Sequence, residues 1–160
     1  IIDGEHYVSP PPNHSHQVIA GNLHLLLGNH VRAHALGEVL FAPFAVRLSE
    51  HDAVEPDLMF IASGHQHLTT ERHFAGGPDL VIEVLSPSTR RRDQNLKRKR
   101  YELFGVGEYW MIDPVAQTVT ILRRNPESAQ FEDVAQLSTG SFRTPLLPGL
   151  EIPISEIFRS

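Results

Sequence analysis

The sequence predicts a mixed α/β or α+β fold in which a few helices flank one sheet. Three observations lead to this expectation. A long amphipathic helix is predicted near the N-terminus, short apolar segments separated by turns make up most of the remainder, and a second helix interrupts those segments. We expect all of residues 1–160 to form one domain of this kind.

The first helix is predicted to be capped by Asn13 or Ser15 and to run to about Leu36. Its apolar residues share one side at about 100° per residue, and they are Ile19, Leu23, Leu26, Leu27 and Val31. Gly37 follows as the expected helix-ending glycine. The second helix is predicted from Asp93 to Phe104, ended by Gly105.

Strands are predicted from short apolar runs bounded by turn residues. In chain order they are 39–48 (broken at Pro43), 58–62, 79–85, a pair at 108–113 and 118–124, and 131–137. The run at 79–85 starts with Asp79 and is then apolar with one acid, Glu83, inside it, which indicates a buried central strand. Residues 63–77 are polar without periodicity and are expected to be loop, and 152–158 are expected to form a short helical turn.

Composition limits the classes of function and site. The chain has no cysteine, which excludes disulfides and thiolate metal sites and suits a cytoplasmic protein. No apolar run approaches the roughly 20 residues of a membrane span, so no membrane partner is expected. The chain begins at Ile1 without methionine, and we expect a preceding N-terminal segment.

The basic residues are concentrated in one stretch, although the net charge is −5. Seven of the 14 Lys and Arg residues lie within 90–100. Such a stretch can be a solvated helix face, or it can attract phosphate locally.

Glu83 is the most informative residue because it lies inside an apolar strand. A carboxylate there is costly unless it is hydrogen-bonded, paired or bound to a metal. Asp57 opens the neighbouring apolar strand after Pro56. By itself Asp57 could be a turn former, but two adjacent strands can deliver both acids to one sheet edge. Two carboxylates with waters and a substrate phosphate make a typical magnesium site. Asp79 is a competitor for the first acid.

Lys97 is the third candidate. It lies about 20° from Phe104 and 40° from Tyr101 at 100° per residue, so it should face the sheet with these aromatic side chains. Asp93, Lys97 and Tyr101, spaced by four, form one stripe. Lys97 could form a structural ion pair with Glu83 or Asp93, or it could be a cation for a reacting phosphate.

Ten histidines are many for this length. His65 and His67 form an H-x-H pair with no third ligand in clear spacing, which favours loop histidines over a metal site. His16 and His30 fall on the apolar arc of the first helix and are expected to be satisfied core residues.

The central block PDLVIEVLSPSTRRRDQNLKRKRYELFGVGEYWMIDP resembles the Uma-two family of restriction endonucleases. YVSPPPNHSHQ and EPDLMFIA upstream, and LPGLEIPISEIF near the end, also fit, so the likeness spans nearly the whole chain. The resemblance implies a restriction-endonuclease-like PD-(D/E)XK fold, with a mixed central sheet flanked by helices.

Carried over to this chain, the resemblance implies that Asp57 and Glu83 are the two acids. Leu85 stands where the motif has lysine, and Lys97 from the following helix would replace it. The implied function is DNA phosphodiester hydrolysis with Mg²⁺ or Mn²⁺ held by Asp57, Glu83 and the Val84 carbonyl. The alternatives are a nuclease-like module that binds nucleic acid or protein without cutting, and a metal-dependent hydrolase of a small phosphate compound.

A homodimer is also expected. Val106, Tyr109, Trp110 and Met111 supply more large apolar side chains than one face of an edge strand usually needs, and a double-strand cut needs two active sites.

Overall fold

The computed structural model describes residues 1–8 and 10–160. Its strands are β1 Gly37–Phe41, β2 Ala45–Arg47, β3 Ala53–Val54, β4 Leu58–Ala62, β5 His73–Ala75, β6 Leu80–Val84, β7 Glu108–Asp113, β8 Thr118–Arg124, β9 Phe131–Leu137, β10 Ser141–Phe142 and β11 Ile152–Pro153. Its helices are α1 His14–Ala33, a 3₁₀ helix Ser63–Leu68, a π-helix Arg92–Lys97 that continues into α2 Arg98–Leu103, and α3 Ile154–Ile157.

A six-stranded mixed sheet organises the fold, in the order β1-β4-β6-β7-β8-β9. Strands β6 and β7 are parallel, and the other neighbours in this sheet are antiparallel. The parallel pair needs a crossover connection, which the π-helix and α2 provide. Strands β2, β3 and β5 form a small second sheet, and β10 pairs with β11. The structure therefore has the mixed sheet flanked by helices that the sequence predicts.

Alternating side chains give the large sheet two buried faces. Leu58 and Phe60 of β4 belong to a cluster that includes the apolar side of α1. Met59 and Ile61 of the same strand belong to a second cluster with Tyr101 of α2. The layers above and below the sheet thus place α1 and α2 on opposite faces.

Several strand predictions are confirmed. Pro43 separates β1 from β2, and the run with the buried acid is β6, which lies inside the large sheet with all five residues buried. The predicted pair at 108–113 and 118–124 is the antiparallel pair β7–β8.

The expectation of a plain loop at 63–77 is wrong. This segment contains the 3₁₀ helix and β5, which pairs in parallel with β2. A strand of three residues is too short to show a period-2 pattern, and β5 is held by its pairing with β2 and by the burial of Phe74 in the core. The predicted helical turn at 152–158 likewise begins as β11, and only Ile154–Ile157 is helical.

The first helix ends earlier than predicted. It stops at Ala33, and Gly37 begins β1 instead of ending the helix. Ala35 takes the left-handed backbone conformation, with a φ of 51°. The Leu36 N–H donates to the Val31 carbonyl and the Ala35 N–H donates to that of Arg32, which is the Schellman arrangement.

The premise behind the expected dimer interface is wrong, because β7 is not an edge strand. It lies between β6 and β8 in the large sheet. Val106, Tyr109 and Trp110 are fully buried within the chain, and Met111 is nearly so. Their apolar surface is therefore used in the core. Among the described residues, no helix combines the length and apolarity needed to cross a bilayer.

Candidate functional site

Sheet register brings Asp57 next to Glu83. In the antiparallel pair β4–β6, Leu58 lies opposite Ile82, so Asp57, one residue earlier, comes opposite Glu83. The Val84 N–H donates to Asp57 Oδ2 at 2.7 Å, and the Ala42 N–H donates to the Asp57 carbonyl at 3.0 Å. Asp57 is thus held at both its main chain and its side chain.

His16 lies on the other side of Asp57. It belongs to the first turn of α1, where the Asn13 side chain accepts a hydrogen bond from the His16 N–H. Its Nε2 lies 3.1 Å from Asp57 Oδ2. The hydrogen bond to Asp57 raises the pKa of His16, against the opposing effect of burial. The start of α1 therefore carries a group that fixes one Asp57 oxygen.

Glu83 is buried, and one of its oxygens has two donors. Lys97 Nζ donates to Oε1 at 2.8 Å, and the Tyr101 hydroxyl donates to the same oxygen at 2.6 Å. Both donors come from the segment that crosses from β6 to β7. The acid inside an apolar strand is therefore paired and hydrogen-bonded, as its burial demands.

Asp93 is a second partner for Lys97. Its Oδ1 lies 3.1 Å from Lys97 Nζ, and its side chain is nearly inaccessible to solvent. The Tyr109 hydroxyl donates to the Asp93 carbonyl at 3.0 Å. Asp93 and Lys97 both lie in the π-helix, a conformation that is rare and often found at functional sites.

Negative charge exceeds positive charge in this cluster. Burial raises the pKa of Glu83 to about 7, and the charges of Asp57 and Asp93 add to that rise while Lys97 opposes it. Burial alone would lower the pKa of Lys97, but Glu83 and Asp93 together raise it above its ordinary value. Lys97 therefore stays charged, and the cluster would accept a further cation.

The two carboxylates line a large cavity, and each has one oxygen without a hydrogen bond. Asp57, Glu83, Val84, Asp93 and Lys97 all line one cavity of about 1010 Å³. Within the described part of the chain, Asp57 Oδ1 and Glu83 Oε2 accept no hydrogen bond, since the contacts of each acid fall on its other oxygen.

These donors fit a divalent cation. Hard carboxylate oxygens suit Mg²⁺ or Mn²⁺. Residues 1–8 and 10–160 contain no group of three His, Cys, Asp or Glu side chains placed to hold a metal. Mg²⁺ characteristically needs only one or two carboxylates, with waters and substrate phosphate as the remaining ligands. A two-carboxylate site is therefore sufficient.

Other candidates from the sequence lie elsewhere. Asp79 precedes β6, at the opposite end from Glu83, where it accepts hydrogen bonds from the Ala62 N–H at 2.7 Å and from His65 at 2.9 Å. His30 contacts the Pro148 carbonyl. Asp79 therefore does not replace Asp57 as the first acid. His65 and His30 make contacts within the fold, away from the candidate site.

The basic stretch is largely paired inside the chain. Arg90 pairs with Asp113 at 2.6 Å, which lowers the pKa of that carboxyl, and Arg100 pairs with Asp3 and Asp52. Lys97 contacts Glu83 and Asp93 as described. The continuous phosphate-attracting stripe considered from the sequence is therefore not formed.

Sequence reasoning missed His16 as part of the site. Its helical phase matches the apolar arc of α1, and its partner Asp57 lies 41 residues away, so periodicity favours a core histidine. The signal that could have identified His16 is its position in the first turn of α1, because side chains there point back past the N-terminal end of the helix. It also belongs to the YVSPPPNHSHQ segment on which the family likeness partly rests.

A family model described as "Putative restriction endonuclease" matches residues 1–155. This chain belongs to the Uma-two family. The Uma-two chain also resembles a crystal structure described as a "putative nuclease" from Anabaena variabilis, with 19% identity, a TM-score of 0.80, and coverage of 98% of this chain and 87% of the other. That likeness shows the fold.

A second solved structure is the type IIG restriction endonuclease BpuSI. It shares 15% identity at a TM-score of 0.47, with 97% of the Uma-two chain and 17% of the enzyme covered. No curated protein matches this chain.

Proposed function

We propose that this Uma-two chain hydrolyses DNA phosphodiester bonds and needs Mg²⁺ or Mn²⁺ to do so. The observation that carries the proposal is the opposed pair Asp57 and Glu83, which line one cavity with Lys97. Membership of a family of restriction-endonuclease type supports DNA as the substrate.

Asp57, Glu83 and the Val84 carbonyl are the proposed ligands. A bound divalent cation would lower the pKa of a water and neutralise charge on the phosphate. His16 and the Val84 N–H hold Oδ2 of Asp57, which leaves Oδ1 to bind the cation. Partners of this kind tune a metal ligand although they do not touch the metal.

Lys97 is proposed to stabilise the charge that develops on the phosphate. Its ammonium lies between Glu83 and Asp93, so two carboxylates hold it at the cavity and keep it protonated. Glu83 and Asp93 accept two of the three ammonium hydrogens, which leaves the third to donate to the phosphate. A fixed cation aimed at developing charge is an effective catalytic element.

Lys97→Met tests this function. We expect the variant to cleave supercoiled plasmid DNA in Mn²⁺ at least about 100-fold more slowly than the wild type, because the lost contact acts in the transition state. Lys99→Met removes an exposed lysine next to the same π-helix and should cleave normally. Circular dichroism should verify the fold of both variants. Equal cleavage rates for Lys97→Met and the wild type would refute the role of Lys97.

A nuclease-like module that binds without cutting is the second candidate. Leu85 stands where the family motif has lysine, and the two ion pairs of Lys97 also fit a structural role. Mn²⁺ binding that depends on Asp57, without cleavage of plasmid or of nucleotide phosphates, would favour this candidate.

A homodimer is proposed as the active form, because a double-strand cut needs two active sites and a twofold pair supplies them. Light scattering at micromolar concentration should give twice the 17.9 kDa mass of one chain. The mass of a single chain at that concentration would contradict the proposal.

A further inference from the structure

Exposed apolar side chains are concentrated around the cavity that holds Asp57 and Glu83. Among the described residues, eight large hydrophobic side chains are exposed, and five of them line this cavity. These five are Ile1, Tyr7, Val8, Phe41 and Val115. Such a patch beside a candidate catalytic site indicates a binding surface.

Phe41 lies beside the Asp57 end of the carboxylate pair. It is the last residue of β1, opposite Leu58, and the next residue, Ala42, donates its N–H to the Asp57 carbonyl. The Phe41 ring is 57% exposed, and it contacts the His24 ring edge-on with centroids 4.7 Å apart. The ring is therefore anchored while much of it faces solvent.

Tyr7 is tied to the other end of the cluster. The Arg92 guanidinium lies over its ring, 5.5 Å from the centroid, and Arg92 is the residue before Asp93. The Tyr7 hydroxyl donates to Glu5 at 2.9 Å, and 42% of the residue is exposed. The carboxylate cluster thus has one accessible aromatic ring associated with Asp57 and another with Asp93.

The cations at this cavity are already engaged. Its basic lining residues are Arg90, Arg92 and Lys97. Arg90 pairs with Asp113, Lys97 pairs with Glu83 and Asp93, and Arg92 lies on the Tyr7 ring. Recognition of duplex DNA depends strongly on cations that contact successive phosphates. Exposed aromatic rings can stack on bases whose faces are accessible, which the bases of a single strand offer and those of a duplex do not.

We propose that the cavity takes single-stranded DNA, and that bases on either side of the scissile phosphate stack on Phe41 and Tyr7. This inference rests on the proposed function, because it places the phosphate at Asp57 and Glu83. A base within a duplex is already stacked on both faces, so only an unpaired base offers a face to these rings. In the proposed homodimer, the cavity of each chain would take one of the two DNA strands, unpaired at the cut.

The test is fluorescence anisotropy in Ca²⁺, which can occupy a carboxylate site in place of Mg²⁺, and a denaturing gel after each titration verifies that the probe is uncut. The probes are a labelled 16-nucleotide single strand of mixed sequence and the duplex it forms with its complement. We expect the wild type to bind the single strand at least about tenfold more tightly than the duplex. Phe41→Leu and Tyr7→Leu should each weaken single-strand binding about fivefold or more, the range expected for loss of one base–aromatic stack.

Three controls separate stacking from loss of apolar surface or of fold. Phe41→Trp and Tyr7→Phe keep an aromatic ring and should bind the single strand like the wild type. Leu25→Ala removes an exposed apolar side chain outside the cavity and should change nothing. Duplex binding as tight as single-strand binding, unchanged affinity in both leucine variants, or no DNA binding at all would overturn the inference.

The outcomes for the two proposals are distinguishable. Metal-dependent cleavage combined with unchanged single-strand binding by Phe41→Leu and Tyr7→Leu would overturn this inference and leave the proposed function in place. Ring-dependent single-strand binding without any cleavage in Mn²⁺ would support this inference and count against the proposed hydrolysis.

Discussion

Glu83, in the candidate site, departs from what stability alone would favour. The carboxylate is buried in the sheet near two other acids, and the one lysine that contacts it also pairs with Asp93. Its pKa of about 7 lies well above the ordinary 4.5, mainly because burial disfavours the charged form. The folded protein therefore retains a proton on Glu83 over a pH range in which the unfolded chain has lost it.

The sign of the pH effect follows from that difference. A carboxyl whose pKa is raised on folding contributes most stability at pH values below 4.5, and the contribution is lost as the pH rises to about 7. Above pH 7 the charged Glu83 is a cost to the fold.

Glu83→Gln should therefore stabilise the protein at alkaline pH. Its amide oxygen can still accept hydrogen bonds from Lys97 and Tyr101, and it has no charge to bury. At pH 8 urea denaturation should give a free energy of unfolding up to about 3 kcal/mol above that of the wild type, from 1.36 kcal/mol per pKa unit. At pH 5 the gain should fall to less than half. Exposed Glu127→Gln should show no gain, and a lower stability of Glu83→Gln at pH 8 would contradict the account of Glu83.

At the scale of elements, the sequence predicts strand β6 and its buried acid, but it does not predict the π-helix that follows. Glu83 stood out because one acid in an apolar run has few structural explanations, and adjacent apolar strands brought Asp57 to the same edge. Lys97 was placed toward the sheet by its helical phase. The π-helix that contains Lys97 leaves no pattern distinct from an α-helix over six residues, so the sequence did not reveal it.

His16 and β5 were missed because their partners are distant in sequence. The identity of His16 as a site residue depends on Asp57, and β5 exists through its parallel pairing with β2. The periodicity of a local segment cannot show that His16 contacts Asp57 or that β5 pairs with β2. The family likeness predicts the fold, and the spacing of four predicts that Lys97 can pair with Asp93, whereas only the structure shows that Lys97 contacts Asp93 and Glu83 together.

The end of α1 gives a prediction at the scale of an element. Ala35 has a φ of 51°, where an L-residue with a Cβ is strained and glycine is not. Ala35→Gly should therefore raise the free energy of unfolding by about 0.5–1 kcal/mol, the steric gain being partly offset by the greater freedom of glycine in the unfolded chain. Thermal and urea denaturation would measure this gain.

Ala33→Gly is the matched control for that change. Ala33 is exposed in the last turn of the same helix, where glycine costs about 1 kcal/mol relative to alanine. The two substitutions are thus expected to have opposite signs. Destabilisation by both would show that the left-handed position in the Schellman arrangement carries no strain.

On the scale of the whole molecule, the site depends on both layers that cover the sheet. α1 brings His16 to Asp57, and the crossover between the parallel strands β6 and β7 brings Lys97 to Glu83. The basic stretch within 90–100, conspicuous in a chain of net charge −5, is used largely for internal pairing. The architecture thus assembles a cavity lined by Asp57, Glu83 and Asp93, where we propose that a divalent cation binds.

Isothermal titration calorimetry with Mn²⁺ tests this central claim most directly. The wild type should bind one Mn²⁺ ion per chain, and Asp57→Asn and Glu83→Gln should each lose measurable binding while remaining folded. Asp79→Asn should bind like the wild type, because that acid lies at the other end of β6 and contacts Ala62 and His65. Wild-type Mn²⁺ affinity in Asp57→Asn or Glu83→Gln would contradict the two-carboxylate site.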